Sequence, residues 1–107
     1  MTYRVLFAQR AIDDLQQYLL YASQNAPTTA VLWLIRFKAA LMTLSTNPER
    51  CPLAPESELV EQAIYQYLFG KQSGSFRALF TIEEDRVLIL HIRRGSMEKA
   101  TKAELFG

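Results

Sequence analysis

Residues 65–95 constrain the fold more than any other stretch. They read Tyr65-Gln66-Tyr67-Leu68-Phe69, a Gly/Ser-rich break, Phe76-Arg77-Ala78-Leu79-Phe80-Thr81-Ile82, the acidic break Glu83-Glu84-Asp85, then Arg86-Val87-Leu88-Ile89-Leu90-His91-Ile92-Arg93-Arg94-Gly95. Aromatic and β-branched residues fill the runs, and Gly, Ser and acidic residues fill the gaps, the pattern of three antiparallel strands joined by two tight turns. Side chains alternate between the faces of a strand. Strict alternation puts Phe76, Ala78, Phe80 and Ile82 on one face, with Arg77, Leu79 and Thr81 on the other. In the third run it groups Leu88, Leu90 and Ile92 against Val87, Ile89, His91 and Arg93. Each strand then has an apolar face that needs a cover, and a mixed face carrying a basic side chain near one end.

The preceding chain supplies the cover. Tyr3-Arg4-Val5-Leu6-Phe7 alternates as a short strand. From 8 to 23 the apolar residues Ala8, Ile12, Leu15, Leu19 and Ala22 recur at three- and four-residue steps, which is one face of a helix. Asp13 and Asp14 fall early in it, where negative charge suits the helix dipole. Asn25-Ala26-Pro27 ends this helix, and proline suits the start of the next. From 28 to 44 Val31, Leu34, Phe37, Leu41 and Leu44 make a second stripe, widened by Leu32, Trp33 and Ile35. Three of the four prolines lie in 45–58, a stiff loop. The tail after Gly95 has thin apolar content, so a frayed or partner-dependent end is expected. The order is β-α-α-β-β-β. The expected fold is α+β: a two-helix hairpin on one face of a small, mainly antiparallel four-stranded sheet, formed by residues 1–107 as one domain. The opposite face is expected to stay partly open, lined by Tyr65, Tyr67, Arg77, Leu79, His91 and Arg93.

Composition narrows the functional classes. Half of the 107 residues are hydrophobic, which disfavours disorder. No uninterrupted apolar run reaches the ~20 residues of a membrane span, and the N-terminus lacks the pattern of a secretory signal, so a cytoplasmic protein without membrane contact is expected. A lone cysteine, Cys51, permits no internal disulfide. A lone histidine, His91, argues against a Cys/His metal site. No cofactor and no small-molecule substrate are implied. The net charge of +1 means that any polyanion binding must rest on local clusters.

Taken together, the strand, the helical hairpin opening with Ala11-Ile12-Asp13-Asp14-Leu15, the proline-rich loop, Tyr67-Leu68-Phe69-Gly70-Lys71, Phe76-Arg77-Ala78-Leu79-Phe80 and Val87-Leu88-Ile89-Leu90-His91-Ile92-Arg93 resemble the RelE/ParE toxins of bacterial type II toxin–antitoxin systems, along nearly the whole chain. The resemblance implies a small growth-inhibiting toxin, of the kind tied to plasmid stabilisation, neutralised by a co-encoded antitoxin that wraps a segment over it. Its members are either ribosome-dependent mRNA endonucleases, RelE-like, or poisons of DNA gyrase, ParE-like. Cleaving RNA through its 2′-hydroxyl needs a proton acceptor, proton donors and cations for the developing phosphorane. Arg77 matches the arginine that follows an aromatic residue in the family's central strand. Tyr65 and Tyr67 stand where endonucleases tend to carry lysines, Met97 stands where a basic residue is common, and the tail has no tyrosine. These departures favour the ParE-like side, which acts by binding.

The candidate catalytic residues are Arg77, His91 and Arg93; on the endonuclease alternative Arg77, Arg93 and Arg94 are the phosphate-stabilising cations and His91 or a tyrosine takes the proton. The candidate target- or antitoxin-binding residues are Tyr65, Tyr67, Lys71, Arg77, Arg93 and Arg94. Each has a plainer alternative: Arg77 pairing with a glutamate such as Glu61, His91 as a half-buried strand residue, the tyrosines as cross-strand aromatic pairs, and Arg93-Arg94 as charge on a strand end. The outer side of the hairpin, with Trp33 and Tyr18 or Tyr21, is a second candidate surface for an antitoxin helix. A RelE-like mRNA endonuclease and a non-toxic interaction module on the same fold are the alternative functions. The partners are an antitoxin and either DNA gyrase or the ribosome with its mRNA.

Overall fold

The computed structural model describes residues 2–70, 76–95 and 99–106; Lys71 and Met97 lie outside them. The elements are β1 (Arg4–Phe7), α1 (Gln9–Ser23), α2 (Pro27–Met42), β2 (Tyr65–Phe69), β3 (Phe76–Glu83), β4 (Arg86–Arg94) and a short α3 (Lys102–Phe106). Between α2 and β2 the proline-rich loop turns through three short 3₁₀ segments, Thr43–Ser45, Pro48–Arg50 and Pro55–Leu59. The sheet order is β1-β4-β3-β2. Only β1 and β4 run parallel. This is the expected α+β arrangement, with the helical hairpin on one face of a mostly antiparallel sheet.

The hairpin packs along part of each stripe: Leu15, Phe37, Leu41 and Leu44 are buried, whereas Ile12 and Val31 stay exposed and Ala11 and Ala30 turn inward instead. Ala11 and Leu15 of α1, with Ala30, Phe37 and Leu41 of α2, are buried. Ala11, Leu15, Phe37 and Leu41 meet Ala78, Phe80, Val87, Ile89 and Ile92 from the sheet. Phe37 lies parallel to Phe69, with ring centroids 4.6 Å apart. Pro27 opens α2, where its missing N–H costs no helical bond. Asp13 and Asp14 lie beyond the first turn of α1, so the dipole role expected for them does not apply. The stretch Pro27–Ser45 is long and apolar enough to cross a membrane by length and composition alone. Here it packs on the fold along one face, through Ala30, Phe37, Leu41 and Leu44, and the burial on more than one side expected from Leu32 and Ile35 does not occur, since Val31, Leu32, Ile35 and Met42 are exposed.

The strand faces depart from strict alternation at one place. Leu79 pairs with His91, but Phe80 pairs with Ile89, so Leu90 is an extra residue in β4. Such a bulge reverses the facing of everything beyond it. Val87, Ile89 and Ile92 therefore share the hairpin side. Leu88 and Leu90 face the opposite side with Leu79. The expected groupings of Leu88, Leu90 and Ile92, and of Val87 and Ile89 with His91 and Arg93, are both split by this one residue.

The face expected to be open is covered. Ala54, Ile64, Leu79, Leu90, Ala100 and Leu105 form a second apolar cluster on it. Residues 99–106 of the tail are ordered rather than frayed. Thr101 Oγ1 accepts from the Glu104 amide at 3.2 Å, and Glu104 accepts from the Thr101 amide at 2.9 Å. This reciprocal capping box starts α3 and seats Leu105, which is only 3% exposed, against the sheet.

Candidate functional site

The candidate residues separate into three groups. Tyr65 and Tyr67 belong to the hairpin side, where they pack half-buried against the main core. The Tyr65 ring stacks on Phe80 at 5.4 Å as a cross-strand aromatic pair, and neither tyrosine lines the arginine face. The reason is register: Tyr65 pairs with Phe80 and Tyr67 with Ala78, both hairpin-facing residues.

Arg77, His91 and Arg93 do share the opposite side, and Arg77 pairs directly with Arg93 across the strands. All three are buried. Each meets an acidic residue of this same chain. The Arg77 guanidinium donates to both Glu56 oxygens, at 3.0 and 2.7 Å, and to Gln66 Oε1 at 3.0 Å. Glu56, not Glu61, is its partner, and it is wholly buried. The Ala100 amide donates to Glu56 as well, at 2.8 Å, which ties the tail to the loop and to β3 through one carboxylate. Burial pushes the Glu56 carboxyl up, but the hydrogen bonds from Arg77 and backbone amides and the Arg77 charge outweigh it, and the group is lowered to about 2.

Arg93 donates to Glu104 Oε2 at 2.8 Å and to His91 Nε2 at 3.1 Å. A guanidinium has no acceptor, so His91 Nε2 must accept, which assigns the imidazole proton to Nδ1. Nδ1 then donates to Asp14 Oδ2 at 2.5 Å. The same oxygen accepts from the Ile92 amide at 2.9 Å. This bond has a topological cause. β1 ends at Phe7, opposite Ile89, so the outer edge of β4 beyond that point has no strand partner. Asp14 takes the amide that a longer β1 would have taken. Arg10 Nε donates to Asp14 at 3.0 Å, and its Nη2 lies 3.7 Å from Glu104. Burial would raise the Asp14 carboxyl, and the bonds from His91, Ile92 and Arg10 bring it below its ordinary value. The Glu104 carboxyl is also lowered, by the Thr101 amide first and by Arg93 against the effect of burial.

The third group is Arg94. It follows Arg93 in β4 and therefore points to the other side of the sheet, where it pairs in register with Phe76. It is exposed. Among the described residues it has no carboxylate partner. The opposite facing of Arg93 and Arg94 divides a cluster that looks continuous in the sequence.

Residues 5–99 match the profile of the ParE toxin of type II toxin–antitoxin systems, parDE. The chain belongs to the ParE toxin family. Its fold is also similar to three solved structures. Against the chromosomal ParDE system of P. aeruginosa the TM-score is 0.72, at 16% identity over 87% of this chain and 96% of that one. Against a mutant of E. coli toxin RelE in the free state the TM-score is 0.57, at 14% identity over 90% and 86%. Against the RelBE2 toxin–antitoxin complex of Mycobacterium tuberculosis it is 0.51, at 23% identity over 88% and 92%. No curated protein matches the chain in sequence. At these identities the likeness is one of fold.

Sequence reasoning missed the acidic partners of Arg77, His91 and Arg93 in this ParE-family chain. Glu56, Asp14 and Glu104 are distant in sequence from the basic residues they meet. Only Glu104 carried a local signal, the Thr101-Lys102-Ala103-Glu104 capping pattern. Glu56 and Asp14 had none.

Proposed function

We propose that this chain is the toxin of a type II toxin–antitoxin pair, that it acts in the cytoplasm by binding a target such as DNA gyrase, and that a co-encoded antitoxin neutralises it. The observation that carries the binding mode is the neutralisation of the buried arginines. Arg77 is held bidentately by Glu56, and Arg93 by Glu104. Both His91 nitrogens are engaged. Phosphoryl chemistry on RNA would call for cations and a proton acceptor facing the substrate. Here the same side chains face carboxylates of the fold. The family match and the fold shared with the ParDE system support the pairing with an antitoxin.

Induction in cells tests the reading. Filamentation with DNA breaks, together with loss of supercoiling by purified gyrase on adding the toxin, is the expected result. Rapid loss of translation with transcripts cut on ribosomes would replace it with the endonuclease reading. Harmless expression without any antitoxin would replace it with a non-toxic interaction module.

A further inference from the structure

On the hairpin side an open cleft of about 280 Å³ lies between the C-terminal half of α1 and the start of α2. Its lining includes Tyr18, Tyr21, Ala30, Trp33, Phe76 and Arg94. The space exists because the two helices face each other here through alanines, while the aromatic rings hold one another in place. Tyr18 meets Phe76 edge-on at 5.0 Å, and Trp33 meets the same ring at 5.0 Å. Among the described residues no acidic side chain lines the cleft. Among the described lining residues, Arg94, exposed and without a described carboxylate partner, supplies the positive charge.

We infer that this cleft is an anchoring socket for an acidic peptide segment, which inserts one apolar side chain between Tyr21 and Trp33 and sets a carboxylate on Arg94. The inference rests on the partner proposed above and names the part of it that docks here. Three observations favour a peptide. The lining is apolar, which suits a buried side-chain anchor. Tyr18 and Trp33 meet Phe76 at 77° and 51°, so neither ring forms with Phe76 a pair of parallel faces to sandwich a nucleobase. Tyr21 and the neighbouring Leu20 and Val31 are exposed, which extends the apolar surface beyond the cleft along the hairpin. Arg94 supplies charge complementarity, with the steering and selectivity that follow from it.

Trp33 is the only tryptophan of the chain, so its emission reports directly on the socket. The probes are a tryptophan-free dodecapeptide alternating Leu or Phe with Glu, the same peptide with Lys for Glu, and an oligothymidylate of similar length. Each is titrated into the intact protein up to about 1 mM, the range open to a single anchor and one ion pair. The acidic peptide is expected to change Trp33 emission saturably, and added salt to weaken it. Arg94→Glu and Tyr21→Ser, both at exposed positions, are each expected to weaken it at least tenfold with unchanged thermal melting. An equal response to the lysine peptide, preference for oligothymidylate, no response, or unaltered affinity in both variants would each overturn the socket. The titration does not depend on toxicity. Growth arrest by the wild-type chain therefore tests the proposed function separately: a toxic chain with an unresponsive socket refutes only the inference, and a harmless chain that binds the peptide refutes only the proposed function.

Discussion

Glu56→Gln is the sharpest test of how the arginine face is built. The carboxyl is wholly buried and lowered from 4.5 to about 2 by Arg77 and backbone amides. A difference of about 2.5 pKa units is worth about 3 kcal/mol at neutral pH. That agrees with the 3–5 kcal/mol typically lost when one partner of a buried pair is removed and the other charge is stranded. The sign follows from the direction of the shift. A lowered carboxyl stabilises the fold above its unfolded value, and the contribution fades as pH falls toward about 2. The gap between wild type and Glu56→Gln in urea unfolding should be about 3 kcal/mol at pH 7, about 1 kcal/mol near pH 3 and close to nothing at pH 2. The double variant Glu56→Leu with Arg77→Met should be more stable than either single change, because it removes both desolvated charges together. A gap below about 1 kcal/mol at pH 7, or one independent of pH, would refute the argument that this pair is desolvated and mutually required.

Two further tests address the tail and the bulge. Leu105→Ala removes the anchor of α3 and should cost about 2–5 kcal/mol of local stability. Its signature is faster amide exchange in residues 99–106 with β3 and β4 still protected, and unchanged exchange would show that the ion pairs alone hold the tail. Deleting Leu90 should leave a folded protein with Arg77 still opposite Arg93, since the ladder closes without the extra residue. Deleting Ile92 should abolish folding by turning Arg93 into the aromatic core, and equal damage from the two deletions would refute this account of the strand faces.

The fold was legible because its large features are periodic. The helix stripes of 8–23 and 28–44, and the alternation in Phe76–Glu83, each specify a buried face without help from the rest of the chain. The strand order and the parallel β1–β4 pair were not legible, because nothing in a strand's own pattern names its neighbour. The tail was misjudged by counting apolar residues. Two buried side chains, Ala100 and Leu105, suffice there because the capping box and two ion-paired carboxylates position them.

The candidate site was misread for a different reason, and the cause is a single residue. Strict alternation put His91 and Arg93 on one face, and they do share one. It also put Val87 and Ile89 there, leaving that face half apolar and half basic and apparently open. The bulge at Leu90 instead sends Val87 and Ile89 to the hairpin side, and it brings Leu88 and Leu90 to the arginine side. That face thereby gains the apolar surface on which Ala54, Ile64, Ala100 and Leu105 dock. Once docked, the loop and the tail bring Glu56 and Glu104 to the arginines. A buried guanidinium is tolerable only with such partners, so the bulge, the covering segments and the carboxylates form one dependent set. Arg94, one residue further along β4, faces the other way and escapes it. The site question for this chain therefore moves from the buried arginines that the family resemblance points to, toward Arg94, which the fold leaves facing outward.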